Sequence, residues 1–186
     1  MVSEKLFGVS RRKAFKRLVA NNRTRLYRMA YAWTSDPHLA DDLAQQAMYK
    51  ALSKQKQLRD MDAAEAWLFR ILANCLTDYR RAKREFLSGD DLELIEKTTP
   101  EHITREQQLV NKVRIAVRKL PFNQCQVVTL VDLEGFAYAT VAQILDIPVG
   151  TVMSRLCRGR RALKELLIDI QPAASHETVV SMKRVK

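Results

Sequence analysis

The chain has 186 residues, enough for one ordinary domain or two small ones, and its 32 Lys and Arg against 21 Asp and Glu leave a net charge of +11. With 47% hydrophobic and 28% charged residues it is globular rather than disordered, and five Gly with five Pro are too few for an all-β chain of many turns. No apolar run approaches the roughly 20 residues of a membrane span, and the start MVSEKLFGVSRRK lacks a signal-peptide core.

Three cysteines, Cys75, Cys125 and Cys157, cannot all pair, and no two stand at a metal-knuckle spacing. The expectation is a reduced, cytoplasmic protein with no metal and no membrane insertion. A pI near 9.8 points to a polyanionic partner, most simply nucleic acid.

Charge divides the chain. Residues 1–85 carry 18 basic and 9 acidic groups, residues 86–108 carry 2 and 6, and residues 109–186 carry 12 and 6. Two basic domains, 11–85 and 109–168, are therefore expected on either side of a flexible acidic linker, 86–108, with a disordered tail at 169–186. The linker is either a solvated spacer or a strap that shields a basic surface.

In the first domain, Phe15, Leu18, Val19, Leu26, Met29, Ala30 and Trp33 predict one helix from about 11 to 34. Ser35-Asp36-Pro37 stops it and starts another, with Asp36 as cap and Pro37 at the first helical position. That second helix turns Leu39, Leu43 and Ala47 inward and leaves Asp41, Asp42, Gln45, Gln46 and Lys50 on other faces. A third is predicted from Asp62, with Glu65 completing a capping-box-like start. Its stripe is Leu68, Ile71, Leu72, Cys75, Leu76 and Tyr79, with Trp67 and Phe69 adding aromatic surface. It ends in Arg80-Arg81-Ala82-Lys83-Arg84. Four cations in five residues exceed what a helix dipole needs and suit an external anionic surface.

In the second domain, a helix is predicted from near Thr99-Pro100 to Leu120-Pro121. Val127, Val128, Leu130 and Val131 form the next, which ends at Gly135 in the position where only Gly is comfortable. Val141, Ala142, Ile144 and Leu145 then make a short helix, Asp146-Ile147-Pro148 a tight break, and Val152, Leu156, Gly159, Leu163 and Leu166 the inner face of a second. Two short helices about a tight turn, the second rich in Arg, form a helix-turn-helix that fits a major groove. Thr151, Met153, Ser154 and Arg158 are placed for base edges or adjacent phosphates, whereas Arg155, Arg160, Arg161 and Lys164 are expected to meet phosphate. No acid interrupts 149–164. Gly159 is expected to permit close packing.

Two blocks in this order, LADDLAQQAMYKAL followed by AWLFRILANCLTDYRRAKR, and then LPFNQCQVVTLVDLEGFAYATVAQILDIPVGTVMSRLCRGRRAL, resemble the extracytoplasmic-function (ECF, group IV) sigma factors of bacterial RNA polymerase. The resemblance covers about residues 13–167. It implies an all-α fold of two small helical domains, sigma region 2 and sigma region 4. The implied function is to bind core RNA polymerase, through the β′ clamp coiled coil and the β flap, and to direct it to promoter DNA by recognising −35 and −10 elements and assisting melting. It also implies an anti-sigma factor as partner, no cofactor and no catalytic residues. Asp41, Asp42, Leu43, Gln45 and Gln46 fall on the helix that docks on the clamp. Trp67, Arg70, Asn74, Asp78 and Arg81 fall on the segment that reads the −10 element, and Arg80, Lys83 and Arg84 are assigned to the same DNA. Asn74 matches the position beside a captured, flipped base, where amide hydrogen bonds are chemically apt. Thr151, Met153, Ser154, Arg155, Arg158 and Arg161 are assigned to the −35 element.

The chain departs from the family pattern at Gln46 (commonly Glu), at Ala137 (commonly a capping Ser), at Ala139-Thr140 (frequently Glu) and at Met153 (commonly a cation). A self-contained repressor or activator would have no use for the polar helix 39–52. A nucleic-acid enzyme would need a catalytic constellation, yet His38, His102 and His176 lie far apart and no Gly-rich phosphate loop exists. The cysteines fall on or beside apolar faces, where small buried cysteine is the ordinary case.

Overall fold

The computed structural model describes residues 2–86 and 105–168, and these are all-helical. The acidic linker, the expected start of a helix at Thr99-Pro100 and the 169–186 tail lie outside the described residues. Helices α1 (Val2–Asn21), α2 (Arg23–Thr34), α3 (Pro37–Ser53) and α4 (Ala64–Phe86) form the first cluster. Helices α5 (Arg105–Arg118), α6 (Phe122–Val128), α7 (Tyr138–Leu145) and α8 (Val149–Ile168) form the second.

The single helix expected over 11–34 is broken at Asn22. The Asn22 amide donates to Leu18 O, and its Oδ1 accepts from Arg25 Nη1 at 2.7 Å. A buried side chain thus bonds to backbone and to Arg25 where the helix is interrupted. The α2–α3 corner follows the expectation. Ser35 takes the left-handed conformation (φ 57°) and donates its N–H to Tyr31 O. Asp36 accepts from the His38 and Leu39 amides, with Pro37 at the first position. The capping box at Asp62 does not form. Asp60 accepts the Asp62 amide, α4 starts at Ala64, and Glu65 is drawn to Arg25 instead.

In the second cluster α6 widens into a π-helical turn at Thr129–Leu133 before ending at Gly135, whose φ of +75° suits glycine. The short α7 ends at Asp146, also left-handed (φ 54°), and the Pro148 carbonyl accepts the Thr151 and Val152 amides to start α8. This is the expected helix-turn-helix. Val152, Leu156 and Gly159 are its buried inner positions. Gly159 abuts α6, since a Cβ there would lie 2.6 Å from Val128 Cγ2.

The two clusters share one core. Trp33 in α2 donates its indole N–H to Thr129 Oγ1 (2.8 Å), both side chains being buried, and the Thr129 hydroxyl donates to Cys125 O at 2.7 Å. Phe69 of α4 meets Phe136, just before α7, edge to face at 5.1 Å. Arg25 lies 5.3 Å from the Phe69 ring centre and holds both Glu134 (2.7 Å) and Glu65 (3.0 Å). Burial works against the Arg25 charge, but the bonds and charges of the two carboxylates more than offset it and its pKa is raised. Arg118 both bonds the Tyr31 hydroxyl (2.9 Å) and covers its ring, and Cys125 donates to Ala32 O. Phe69 is therefore wholly buried between the clusters, a core aromatic rather than a base-stacking one.

Thr129→Val keeps the shape but strands a buried indole N–H, which costs about 1–3 kcal/mol. Trp33→Phe alone is also destabilising. In urea unfolding the two together are expected to cost clearly less than their sum, because the second change removes a group already left without its partner. Strict additivity would show that the Trp33–Thr129 bond does not join the clusters.

Candidate nucleic-acid interface

Three surfaces carry the residues singled out in the sequence. The first is the outer face of α3. Asp42 and Gln46 are exposed, while Asp41 accepts from Gln45 (2.7 Å) and pairs with Arg23 at 3.4 Å. Leu43, expected among the docking residues, is 3% exposed. It holds α3 to the core and presents nothing to a partner. Tyr49, which sequence reasoning passed over, is 71% exposed on the same helix, seven residues after Asp42 and three after Gln46. Its signal was available, since an aromatic outside the Leu43–Ala47 stripe has to face away from the core.

The second surface is a cleft of about 330 Å³ between α3 and α4, lined by Lys50, Lys54, Asn74, Thr77, Asp78 and Arg81. Asn74, Asp78 and Arg81 recur every three or four residues on α4, so they share one face. Lys50 and Lys54 do the same on α3. Asp78 lies 3.6 Å from both Lys50 and Arg81, so it brackets the cations of the cleft. Asn74 stands exposed among them. Lys50, Lys54 and Thr77 were missed because only the packing of α3 on α4 brings them beside Asn74. Arg70, Arg81, Lys83 and Arg84 are exposed along α4. Trp67 is half-buried, tilted against Phe15 at 6.0 Å. Arg80, expected to face DNA, instead stacks on the Phe122 ring of the second cluster at 3.8 Å. Burial, with Arg84 nearby, lowers its pKa, so the guanidinium is held against an apolar face rather than offered to solvent.

The third surface is the outer face of α8. Met153 (53% exposed), Ser154, Arg158, Arg161 and Lys164 point outward, with Thr151 and Arg155 half-buried at its edge. Ser154 bonds back to Thr151 O and Arg158 to Ser154 O, which orders the first two turns. Arg160, expected at phosphate, is committed to Asp132 through two bonds of 2.6 and 3.2 Å. The carboxylate raises its pKa. Arg161 lies 3.6 Å from Glu165, a long and exposed i, i+4 pair worth little in water. Ala137 supplies no side-chain cap to α7, as the substitution for Ser predicts. Of the cysteines, Cys75 and Cys125 are buried and Cys157 is exposed on α8, contrary to expectation. Burial raises the Cys75 thiol and pushes Cys125 up to about 12.

Residues 18–86 match the Sigma-70 region 2 family, and residues 111–163 match Sigma-70, region 4. The chain is 30% identical over 173 residues to the ECF RNA polymerase sigma-E factor of Haemophilus influenzae, covering 87% of this chain and 89% of that one. It is 32% identical over 155 residues to the ECF RNA polymerase sigma factor SigE of Mycolicibacterium smegmatis, covering 81% of this chain and 60% of that longer protein. The chain belongs to the ECF RNA polymerase sigma factor family. Its fold is that of the sigma factor RpoE solved in complex with the anti-sigma factor NepR from Bartonella quintana, with a TM-score of 0.74 at 28% identity over 84% of this chain and 98% of that one. The helical clusters are thus sigma regions 2 and 4, and the general role is that of an RNA polymerase sigma factor in transcription. A sigma factor is not itself an enzyme, and among the described residues no group of His, Cys, Asp or Glu could hold a metal ion. No described helix is long and apolar enough to cross a membrane.

The contact between Gly159 and Val128 ties α8 to α6. Gly159→Ala is expected to destabilise the chain by about 1–3 kcal/mol in thermal or urea unfolding, the usual penalty for overpacking. Val128→Ala in the same chain is expected to recover part of the loss. A neutral Gly159→Ala would show that α8 does not sit this close to α6.

Proposed function

We propose that this ECF sigma factor directs core RNA polymerase to its promoters by docking through α3, reading the −35 element with α8 and holding the melted −10 element in the α3–α4 cleft. The observation that carries this reading is the outer face of α8: exposed cations and polar groups, no acid from 149 to 164, on a helix-turn-helix scaffold. Ordinary helix surfaces mix the two signs. The cleft supports the second role, since cations for the backbone flank an exposed amide able to bond the edge of an extruded base. Asp42, Gln46 and Tyr49 are the docking residues best placed for the β′ clamp coiled coil, with the β flap as the expected site for region 4.

The packed arrangement is a resting state in this reading. Positions −35 and −10 are 25 nucleotides apart, about 85 Å along B-form DNA at about 3.4 Å per step. A compact unit of about 150 residues has a radius of gyration near 15 Å, too small to reach both. Separation is therefore required, and residues 87–104 can span at most about 60 Å when extended, enough to join two parted domains across that distance. RpoE of Bartonella quintana shares this overall arrangement while bound to an anti-sigma factor. An anti-sigma partner that holds regions 2 and 4 together is consistent with that likeness.

Promoter-specific run-off transcription with core polymerase tests the function. Native protein is expected to start transcripts at one position, and core alone is not. Asn74→Ala is expected to reduce permanganate reactivity in the −10 region. Arg158→Ala is expected to cost about 1–3 kcal/mol and flatten discrimination among −35 variants, while Lys164→Ala weakens all sequences alike and lowers the salt slope by about one. Sequence-specific repression without any need for core polymerase would replace this reading with a self-contained repressor.

A further inference from the structure

We propose that Arg80 has two mutually exclusive partners, the Phe122 ring when regions 2 and 4 are packed and a DNA phosphate when they are parted, so that closure and DNA compete for one guanidinium. This rests on the reading that α4 faces the melted strand and that the packed state is a resting form. Arg80, Lys83 and Arg84 stand three and four residues apart on α4 and so share one face. Lys83 and Arg84 are exposed, whereas Arg80 is half-buried. Its guanidinium carbon lies 3.8 Å from the ring centre of Phe122, the half-buried first residue of α6. A cation of the basic end of region 2 is thus withdrawn onto region 4.

The contact leaves the cation poorly matched. Two other guanidinium groups lie over rings in this structure, and both have polar partners as well. Arg118 over Tyr31 also donates to the Tyr31 hydroxyl, and Arg25 beside Phe69 holds Glu65 and Glu134. Phe122 offers Arg80 a ring and no acceptor. Burial and the like charge of Arg84 both disfavour the charged form and lower its pKa, and among the described residues no carboxylate offsets them. A phosphate is the better partner, because the planar fork donates two charge-assisted bonds to it.

Partners that cannot be held at once are thermodynamically linked. Whatever factor closure takes from DNA affinity, DNA takes from closure. Arg80 lies six residues beyond Asn74, about 9 Å along the helix, within reach of a strand that crosses the α3–α4 cleft. Closure therefore inhibits region 2 by removing one phosphate contact, while Asn74, Arg81, Lys83 and Arg84 stay exposed. A strand laid on this end of α4 in turn favours parting of the two regions.

The test uses the full chain without core polymerase and a fluorescent single-stranded oligonucleotide at low salt, with affinity read by anisotropy. Opening is read as the alkylation rate of Cys125, which faces Ala32 across the interface, and the exposed Cys157 gives the unprotected rate. Saturating oligonucleotide is expected to speed Cys125 alkylation about threefold or more in the native chain and not in Arg80→Ala. Phe122→Leu removes the ring at similar size. It is expected to speed Cys125 alkylation without DNA, to bind the oligonucleotide about threefold tighter or more, and to steepen the salt slope by about 0.7, the value for one phosphate on a single strand. Adding Arg80→Ala to Phe122→Leu should remove the gain in affinity. Arg80→Lys keeps the charge without the planar stack, is expected to shift both readouts as Phe122→Leu does, and carries the test should Phe122→Leu fail to fold. If the interface loosens while affinity stays native, or if the gain survives Arg80→Ala, the inference is overturned and the resting state stands. If Cys125 of the native chain reacts as fast as Cys157, both fall.

Discussion

One buried hydrogen bond, from the Trp33 indole to the Thr129 hydroxyl, sets where regions 2 and 4 meet. The Thr129 hydroxyl stands at the start of a π-helical turn and serves two partners, donating back to Cys125 O and accepting from Trp33. Such widenings interrupt an otherwise regular ladder and tend to occur where a side chain has a task beyond the helix. Around this bond lie the apolar contact of Phe69 with Phe136 and the ion pairs of Arg25, so an apolar centre is ringed by charge. Interfaces of this composition are typical of partners that can part, since the charged rim is soluble when exposed.

This interface decides which cations of α4 are left exposed. Arg80 is stacked on Phe122 and withdrawn from the basic end of α4, whereas Arg81, Lys83 and Arg84 remain exposed on the neighbouring faces. Glu134, on region 4, neutralises Arg25 on region 2, and Arg118 sits over Tyr31. In the proposed open state these internal partners would be exchanged for solvent, polymerase or phosphate. The exposed groups on the outer face of α8 and Asn74 in the α3–α4 cleft take no part in these contacts.

Much of the fold was legible because local chemistry and periodicity agreed. The Asp36-Pro37 start of α3, the glycine stop at Gly135, and the Val152, Leu156, Gly159 inner face of α8 each follow from one turn or one helical repeat. The break at Asn22 was hidden because the apolar stripe continues across it, and only the bond to Arg25 reveals what Asn22 does. Glu65 stood at capping-box spacing from Asp62 but found a stronger, charged partner in Arg25. The exposure of the candidate site was legible where it lies on one helix, as on α8, and was lost where it lies between two. Lys50 and Lys54 face Asn74 only through packing. The fate of Arg80 and Phe69 depended on a second domain that no local pattern specifies.

In the proposed function the packed state is a resting form, and regions 2 and 4 part on the promoter. The native cysteines report this directly, because Cys125 faces Ala32 across the interface and Cys157 is exposed on α8. Alkylation followed by mass spectrometry, on the free chain and on a transcribing complex with core polymerase and promoter, measures both at once. In the free chain Cys157 is expected to react and Cys125 to be protected. In the complex Cys125 is expected to become reactive and Cys157 to be shielded. Protection of Cys125 in a complex that is making transcript would contradict the account.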